Sequence, residues 1–302
     1  MKKYCMPYIL LFSAYFIACG EGTIVIDDAV YEPKIVIEGY LSPFKPVRNI
    51  RLMRNFPINT TFERSEIILD QARASITAEA NGREYQLVFN PESGTYEYPG
   101  DDLSVLPEQS YTLRVSATID GRELSAWSTT TVPASGFNID MSKSKLGSLP
   151  YHARNSEGEL EFFQLAFQRS PGTDFYVLAA KALDASETTF IFTNTFFAPD
   201  SEFVEENLDN LTLNVTWLQG LRPLPFNTPT IFNVGWYMFF FYGRYELTLY
   251  AGDQNYKDFF LTYKQVQEID GNFHEPVFHI QGDGIGVFGS VIARKVLVEV
   301  TP

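Results

Sequence analysis

Histidine and cysteine are scarce in this 302-residue chain, which has three of the first and two of the second. Cys5 and Cys19 both lie within the first twenty residues. The body of the chain therefore has no cysteine for a disulfide, a zinc site or a thiol nucleophile. Positive charge is also in deficit: 23 Lys and Arg stand against 37 Asp and Glu, a formal net charge of −14. A surface of that sign repels phosphate backbones and anionic headgroups, which excludes nucleic acid as a partner. Past the N-terminal segment no apolar run approaches the roughly twenty residues that a spanning helix needs. Internal repeats and low-complexity tracts are absent too. What is plentiful is apolar and aromatic side chain, at 45% and 15% of the residues, with Phe and Tyr dominating the aromatics. This is the composition of a folded protein rich in strand formers. The length allows two domains, each with its own core.

The first residues read as a targeting segment. Lys2 and Lys3 precede the fifteen-residue apolar run "YCMPYILLFSAYFIA", too short to span a bilayer and suited to the h-region of a signal peptide. It ends in "FIAC", where Ala18 precedes Cys19. The arrangement resembles a bacterial lipobox, with Phe16 in place of the usual aliphatic residue. Residues 1–18 are expected to be removed and Cys19 to be lipidated, with 19–30 as a tether. An exported protein whose one remaining thiol carries acyl chains needs no disulfide partner, and several chains on one cysteine make a durable anchor. Without residues 1–18 the chain keeps 21 basic and 37 acidic residues, a net charge of −16.

From Ile35 onward the pattern is that of short strands and turns. Ala74, Ile76 and Ala78 alternate with polar residues, and Asn81-Gly82 is expected to form a type I′ turn into Tyr85, Leu87 and Phe89. Tyr111, Leu113, Val115, Ala117 and Ile119 alternate in the same way, and Asp120-Gly121 turns into "RELSAWSTTTV". The expected fold is mainly all-β, with two β-sandwich domains. Residues 31–133 form an immunoglobulin- or fibronectin-like sandwich, 134–157 a linker, and 158–302 a second β-rich sandwich. In the second, Phe163/Leu165/Phe167, Leu211/Leu213/Val215/Trp217, Tyr245/Leu247/Leu249 and Val296/Val298/Val300 alternate as strands. Tyr256, Phe259, Phe260, Tyr263 and Val266 instead follow helical spacing, which predicts one packed amphipathic helix near 254–267, capped by Asp253 or Asn255 and closed by Gly271.

The motifs that carry chemistry are weak. Gly284-Ile285-Gly286-Val287-Phe288-Gly289 fits the spacing G-x-G-x-x-G, yet only 13 residues follow it and they read as strand. A nucleotide loop requires a helix there and an acidic residue about twenty positions on. "HEPVFH" places His274 and His279 five residues apart, about 140° around a helix and on opposite faces of a strand, so no zinc ligand pair forms. His152 falls in the linker. No metal, cofactor or catalytic residue is expected, although Glu205, Glu206, Asp209 and Asp283 leave a carboxylate pair open. The run "GWYMFFFYGRYELTLY" from 235 to 250 is either core or a stacking and contact surface, with Trp236 and Tyr237 as the exposed ligand-binding candidates.

"FIAC", "YEPKIVIEGYL", "YKDFFLTYKQVQ" and "GDGIGVFGSV" occur in this order along the chain. In these segments it resembles the domain-of-unknown-function 4249 family of Gram-negative outer-membrane lipoproteins. Members commonly carry a "GGLGIFG"-like sequence before the last strand; Asp283 replaces one of those glycines here. The resemblance implies a β-rich lipoprotein, anchored in the outer membrane at the cell surface or the periplasmic face. Such proteins are often encoded beside TonB-dependent receptors, and no catalytic residues are established for them. The expected function is a non-catalytic accessory lipoprotein that associates with a TonB-dependent transporter or captures its substrate. The alternatives are a free-standing glycan- or peptide-binding surface lipoprotein and an undetected hydrolase.

Overall fold

The computed structural model describes residues 31–57, 60–193, 209–213, 215–221, 230–263 and 275–302. The leader, Cys19 and the tether expected over 19–30 lie outside the described residues. From Pro33 onward the chain is one compact unit, predominantly β-strand, with two sheet-rich regions and one packed helix. The first half supplies β1 (Ile35–Leu41), β2 (Arg51–Arg54), β3 (Arg73–Ala78), β4 (Arg83–Asn90), β5 (Thr95–Glu97), β6 (Ser110–Ile119) and β7 (Arg122–Thr131). The second half supplies β8 (Asn138–Ile139), β9 (Gly147–Pro150), β10 (Phe163–Gln168), β11 (Tyr176–Ala182), β12 (Thr216–Leu221), β13 (Thr230–Val234) and β14 (Gly243–Gly252). Helix α1 (Gln254–Thr262), β15 (Gln281–Gly282) and the eighteen-residue β16 (Gly284–Thr301) complete it.

The alternation in the first half is realised strand by strand. Ala74 and Ile76 of β3, Tyr85 and Leu87 of β4, Leu113 and Val115 of β6, and Leu124 and Ala126 of β7 face one core, while their neighbours along each strand face outward. Asp120 and Gly121 both have positive φ and join Ile119 to its partner Arg122, which is the tight two-residue turn of that geometry. The Asn81-Gly82 expectation needs correction. Ala78 pairs with Arg83 across a four-residue loop in which Gly82 alone has positive φ and donates its N–H to the Ala78 carbonyl.

The sheet order is β15-β7-β6-β3-β4-β5 in one sheet and β12-β11-β14-β16-β1-β2 in another, where β9 also pairs with β16; β13-β10-β8 forms a third. Strand β16 belongs to both regions. Its start, Gly284 to Ser290, pairs in parallel with β1, and Val291 to Val300 pairs antiparallel with β14. Phe288 accordingly lies in the first core with Ile35, Ile37 and Leu52. Val296, Val298 and Val300 lie in the second, with Leu247, Leu249 and Phe167.

Three expectations from sequence change here. Residues 134–157, read as a linker, contain β8 and β9, and Phe137 and Ile139 are buried in the second core. Residues 280–290, assigned by sequence to the second sandwich, complete the first core instead. The alternation through Leu211, Leu213, Val215 and Trp217 does not make a strand: residues 209–213 are helical, Leu213 is exposed, and β12 begins at Thr216. The helix is present as α1, and Asp253 is its cap, accepting the Tyr256 N–H at 2.9 Å. Val266 and Gly271 lie outside the described residues.

The glycine run is the place where the layers touch. Gly286 has φ +107°, and a Cβ there would lie 2.1 Å from the Ile37 carbonyl oxygen. A Cβ on Gly289 would meet Asp253 Oδ1 at 3.0 Å and the Tyr256 nitrogen at 3.3 Å. Glycine at 289 therefore lets the first turn of α1 lie against the strand. Asn255, buried in that turn, donates to the carbonyls of Thr129 and Phe288 at 2.8 Å each and so ties the helix to β7 and β16.

Beside it runs a chain of hydrogen-bonded oxygens, buried at Thr130 and Ser290 and half-buried at Asp253. Thr130 Oγ1 lies 2.5 Å from Asp253 Oδ2 and 2.8 Å from Ser290 Oγ, and Ser290 donates to the Thr131 carbonyl at 3.0 Å. Burial raises the pKa of Asp253 above its ordinary value, against the opposing hydrogen bonds.

Gly286→Ala should lower unfolding stability by at least about 2 kcal/mol in urea titration, and Gly289→Ala by less, because the atoms around it stand at 3.0 Å or more. A neutral effect at Gly286 would refute the tight docking of β16 on β1. Because the folded pKa of Asp253 is raised, its contribution is fully present below about pH 3.9 and is lost as pH rises through the folded value. Asp253→Asn copies the protonated form, so its melting temperature should show less decline above pH 4 than that of the wild type. A steeper decline would show that the fold uses the carboxylate.

Candidate functional site

Of the two ring candidates, Trp236 is only 4% exposed. The sequence expectation of an exposed indole is corrected: its Nε1 donates to the Glu161 carbonyl at 2.9 Å, and its ring meets Phe163 and Phe239 at centroid distances of 5.8 and 5.7 Å. A buried indole with its N–H satisfied is core. Tyr237 is half-buried, and burial raises the pKa of its phenol. The turn that holds both is clamped by Tyr245: its Oη accepts the N–H groups of Phe240 and Phe241 at 3.1 and 2.9 Å and donates to the Phe241 carbonyl at 3.0 Å.

Sequence spacing gave no sign of the rings that flank this turn. Tyr151 meets Trp236 edge-on at 5.3 Å and stacks on His152 at 4.1 Å, and Tyr242 closes the group at 6.4 Å from Tyr151. Tyr151 is pushed up to about 12 by burial, and His152, at φ +57°, is pushed down by burial and by nearby Arg154. Tyr151 and His152 are some 85 residues away along the chain from Trp236, beyond the reach of any local pattern, whereas Tyr242 lies within the aromatic run itself.

The polar candidates are committed elsewhere. Asp283 accepts the Ser125 N–H at 3.1 Å and fastens the chain before β16 to β7. His279 pairs with Asp258 of α1 at 2.8 Å. His274, Glu205 and Glu206 lie outside the described residues, and among the described residues no group of His, Cys, Asp and Glu is placed to hold a metal ion. The glycine run is strand from Gly284 onward, and the α1 N-terminus above it is filled by Asp253.

The outward face of the six-stranded sheet carries a concave site that sequence reading passed over. A groove of about 400 Å³ crosses β4, β3, β6 and β7. Its floor is Ser75, 6% exposed although it points away from the core. Gln86 and Arg114 stand opposite Ser75 on either side, and Trp127 stands opposite Arg114. The alternation that named the inward residues also named these outward ones, but a polar outer face reads as solvated surface until its relief is known.

The model of the family described as a domain of unknown function (DUF4249) matches residues 21–296. The chain belongs to this family. In this DUF4249 protein the matched range holds both sheet-rich regions and α1, including most of β16. No curated protein matches the chain. Among solved structures it is similar to that of chicken CNTN1 FN1-FN3 domains at 12% identity, covering 89% of this chain and 67% of that one, with a TM-score of 0.18. That score carries no argument.

Trp236→Ala should cost about 3–5 kcal/mol of stability, and Tyr237→Ala clearly less, by chemical denaturation. Unchanged stability of Trp236→Ala would return the indole to the list of surface contacts.

Proposed function

We propose that this protein is a non-catalytic accessory lipoprotein, lipidated at Cys19 and anchored in the outer membrane. In this reading its β-rich body associates with a TonB-dependent transporter or captures that transporter's substrate. The observation that carries the proposal is where the family match begins. It starts at residue 21, two positions past Cys19, so the basic and apolar segment ending in "FIAC" lies outside the family domain. A cysteine at that junction can take a lipid without touching either core. A binding role rather than catalysis is supported by Asp253, Asp283 and His279, each bonded within the fold. In this reading the two regions are two β-sandwiches, the first of immunoglobulin or fibronectin type, because facing strand layers share each core. A second reading, a free-standing glycan- or peptide-binding surface lipoprotein, is favoured by the groove over Ser75.

Cys19→Ala should abolish labelling by a fatty-acid probe and move the protein from the membrane to the soluble fraction; retained labelling would sink the anchor. Affinity purification of the lipidated protein from detergent extracts should bring down a β-barrel receptor. Recovery of the protein alone would remove the transporter role and leave the second reading.

A further inference from the structure

We infer that the groove on the outer face of the six-stranded sheet is a binding site for an anionic oligosaccharide. The charge pattern is the first observation. In a chain with net charge −14, five described arginines lie against carboxylates: Arg48 with Glu97, Arg51 with Glu38, Arg54 with Asp120, Arg83 with Asp102 and Arg244 with Asp184. Arg73 and Arg114, both exposed in the groove, form no ion pair among the described residues. Their register makes them diagonal neighbours on adjacent strands, Arg73 opposite Ser116 and Arg114 opposite Ser75. Such positions are about 7–8 Å apart, within the reach of two guanidinium forks to one carboxylate or sulfate. Glu84 lines the groove and Glu123 the adjoining hollow, on different strands, and Glu84 is already held by the Gln86 amide at 3.0 Å. The two arginines stand on the central strands of the groove, β3 and β6, and its one lining acid, Glu84, on the flanking β4.

The second observation is Trp127. It is 44% exposed, and the Arg114 guanidinium lies over its ring at 5.8 Å. The cation covers one part of the indole and polarises it. The rest of the ring is open to the partly positive C–H face of a pyranose, which suits the negative face of an aromatic. Ser116, Ser125 and the Gln86 amide add hydroxyl and amide groups for sugar hydroxyls. The groove continues past Arg73 and Ser116 into a second hollow of about 110 Å³, so the site is elongated and suits a chain of sugars more than a single ring.

A peptide is the less suitable occupant. Extended peptides are recognised by addition to a sheet edge, and this groove lies on a face whose strands are already paired, with β15 beyond β7 and β5 beyond β4. Few backbone groups are left to read a peptide main chain, whereas ring stacking and side-chain hydrogen bonds suffice for a glycan.

The inference deepens the substrate-capture arm of the proposed function and rests on that reading only for its biological use. Binding by the purified protein tests the groove, and receptor recovery tests the transporter role, so either can fail alone. The full chain, purified in detergent, would be titrated by calorimetry with a short oligogalacturonate and with a sulfated oligosaccharide, which distinguishes carboxylate from sulfate recognition. A neutral oligogalactoside and an acidic peptide of equal charge serve as comparisons. At least one anionic glycan should bind, with affinity at least about tenfold above the neutral one and falling with added salt. Trp127→Ala and Arg114→Gln should each weaken it by about tenfold or more. Arg73→Gln replaces Trp127→Ala if that variant does not fold. No binding of either anionic glycan overturns the inference, as does unchanged binding in the variants or tighter binding of the peptide.

Discussion

The pairing of β16 with β1 on one half and β14 on the other is the constraint on which the rest of the molecule depends. A strand shared by two cores must present apolar side chains to a different layer in each half, and Phe288 and Val296 do so. It must also approach β7 closely enough for one ladder to serve both regions. Gly284 lies where a Cβ would come within 2.6 Å of Ala126, so small residues face one another across the gap. The hydroxyls of Thr130 and Ser290 are buried there, and bonds among Asp253, Thr130, Ser290 and the Thr131 carbonyl satisfy them. The glycines and the Asp253 cap of α1 are thus consequences of one close approach.

The same economy explains where the aromatic side chains went. In the second region Phe163, Phe167, Trp236, Phe239 and Tyr245 fill the space between the layers, with ring centroids in the edge-on and tilted arrangements that rings prefer. A dense aromatic run therefore marks core thickness rather than a surface. In the first region the core is more aliphatic, and Trp127 stands on the outer face among arginine, glutamine and serine.

Local grammar made the first region legible. The alternation over 74–78, 85–89 and 111–119 names inward residues because one face of each strand is buried and the other is wet. Helical spacing from Tyr256 to Tyr263, with Asp253 before it, is equally local. What could not be read is pairing between distant segments. Ile35 opposite Gly284 is a contact across nearly the whole chain, and no composition shift marks the halfway point of β16. The 134–157 stretch has the serine, glycine and proline of a spacer, yet β9 within it pairs with the last residues of the chain. The Leu211 to Trp217 alternation failed for the opposite reason: period two appears by chance over a few residues, and helical residues end before β12 begins. Tyr151 and His152 beside Trp236, and the strands that build the groove over Ser75, come from segments far apart in sequence, so these juxtapositions could not be named beforehand.

Because one strand at the end of the chain closes both cores, neither can be finished early. A growing polypeptide that has emerged as far as α1 holds β1 and β14 with unpaired edges, and the apolar faces of both layers wait for Phe288 and Val296 to arrive. Contacts of such long sequence separation impose a slow, late closure. A chain stopped short of β16 by nonsense or by proteolysis is then left with two open cores.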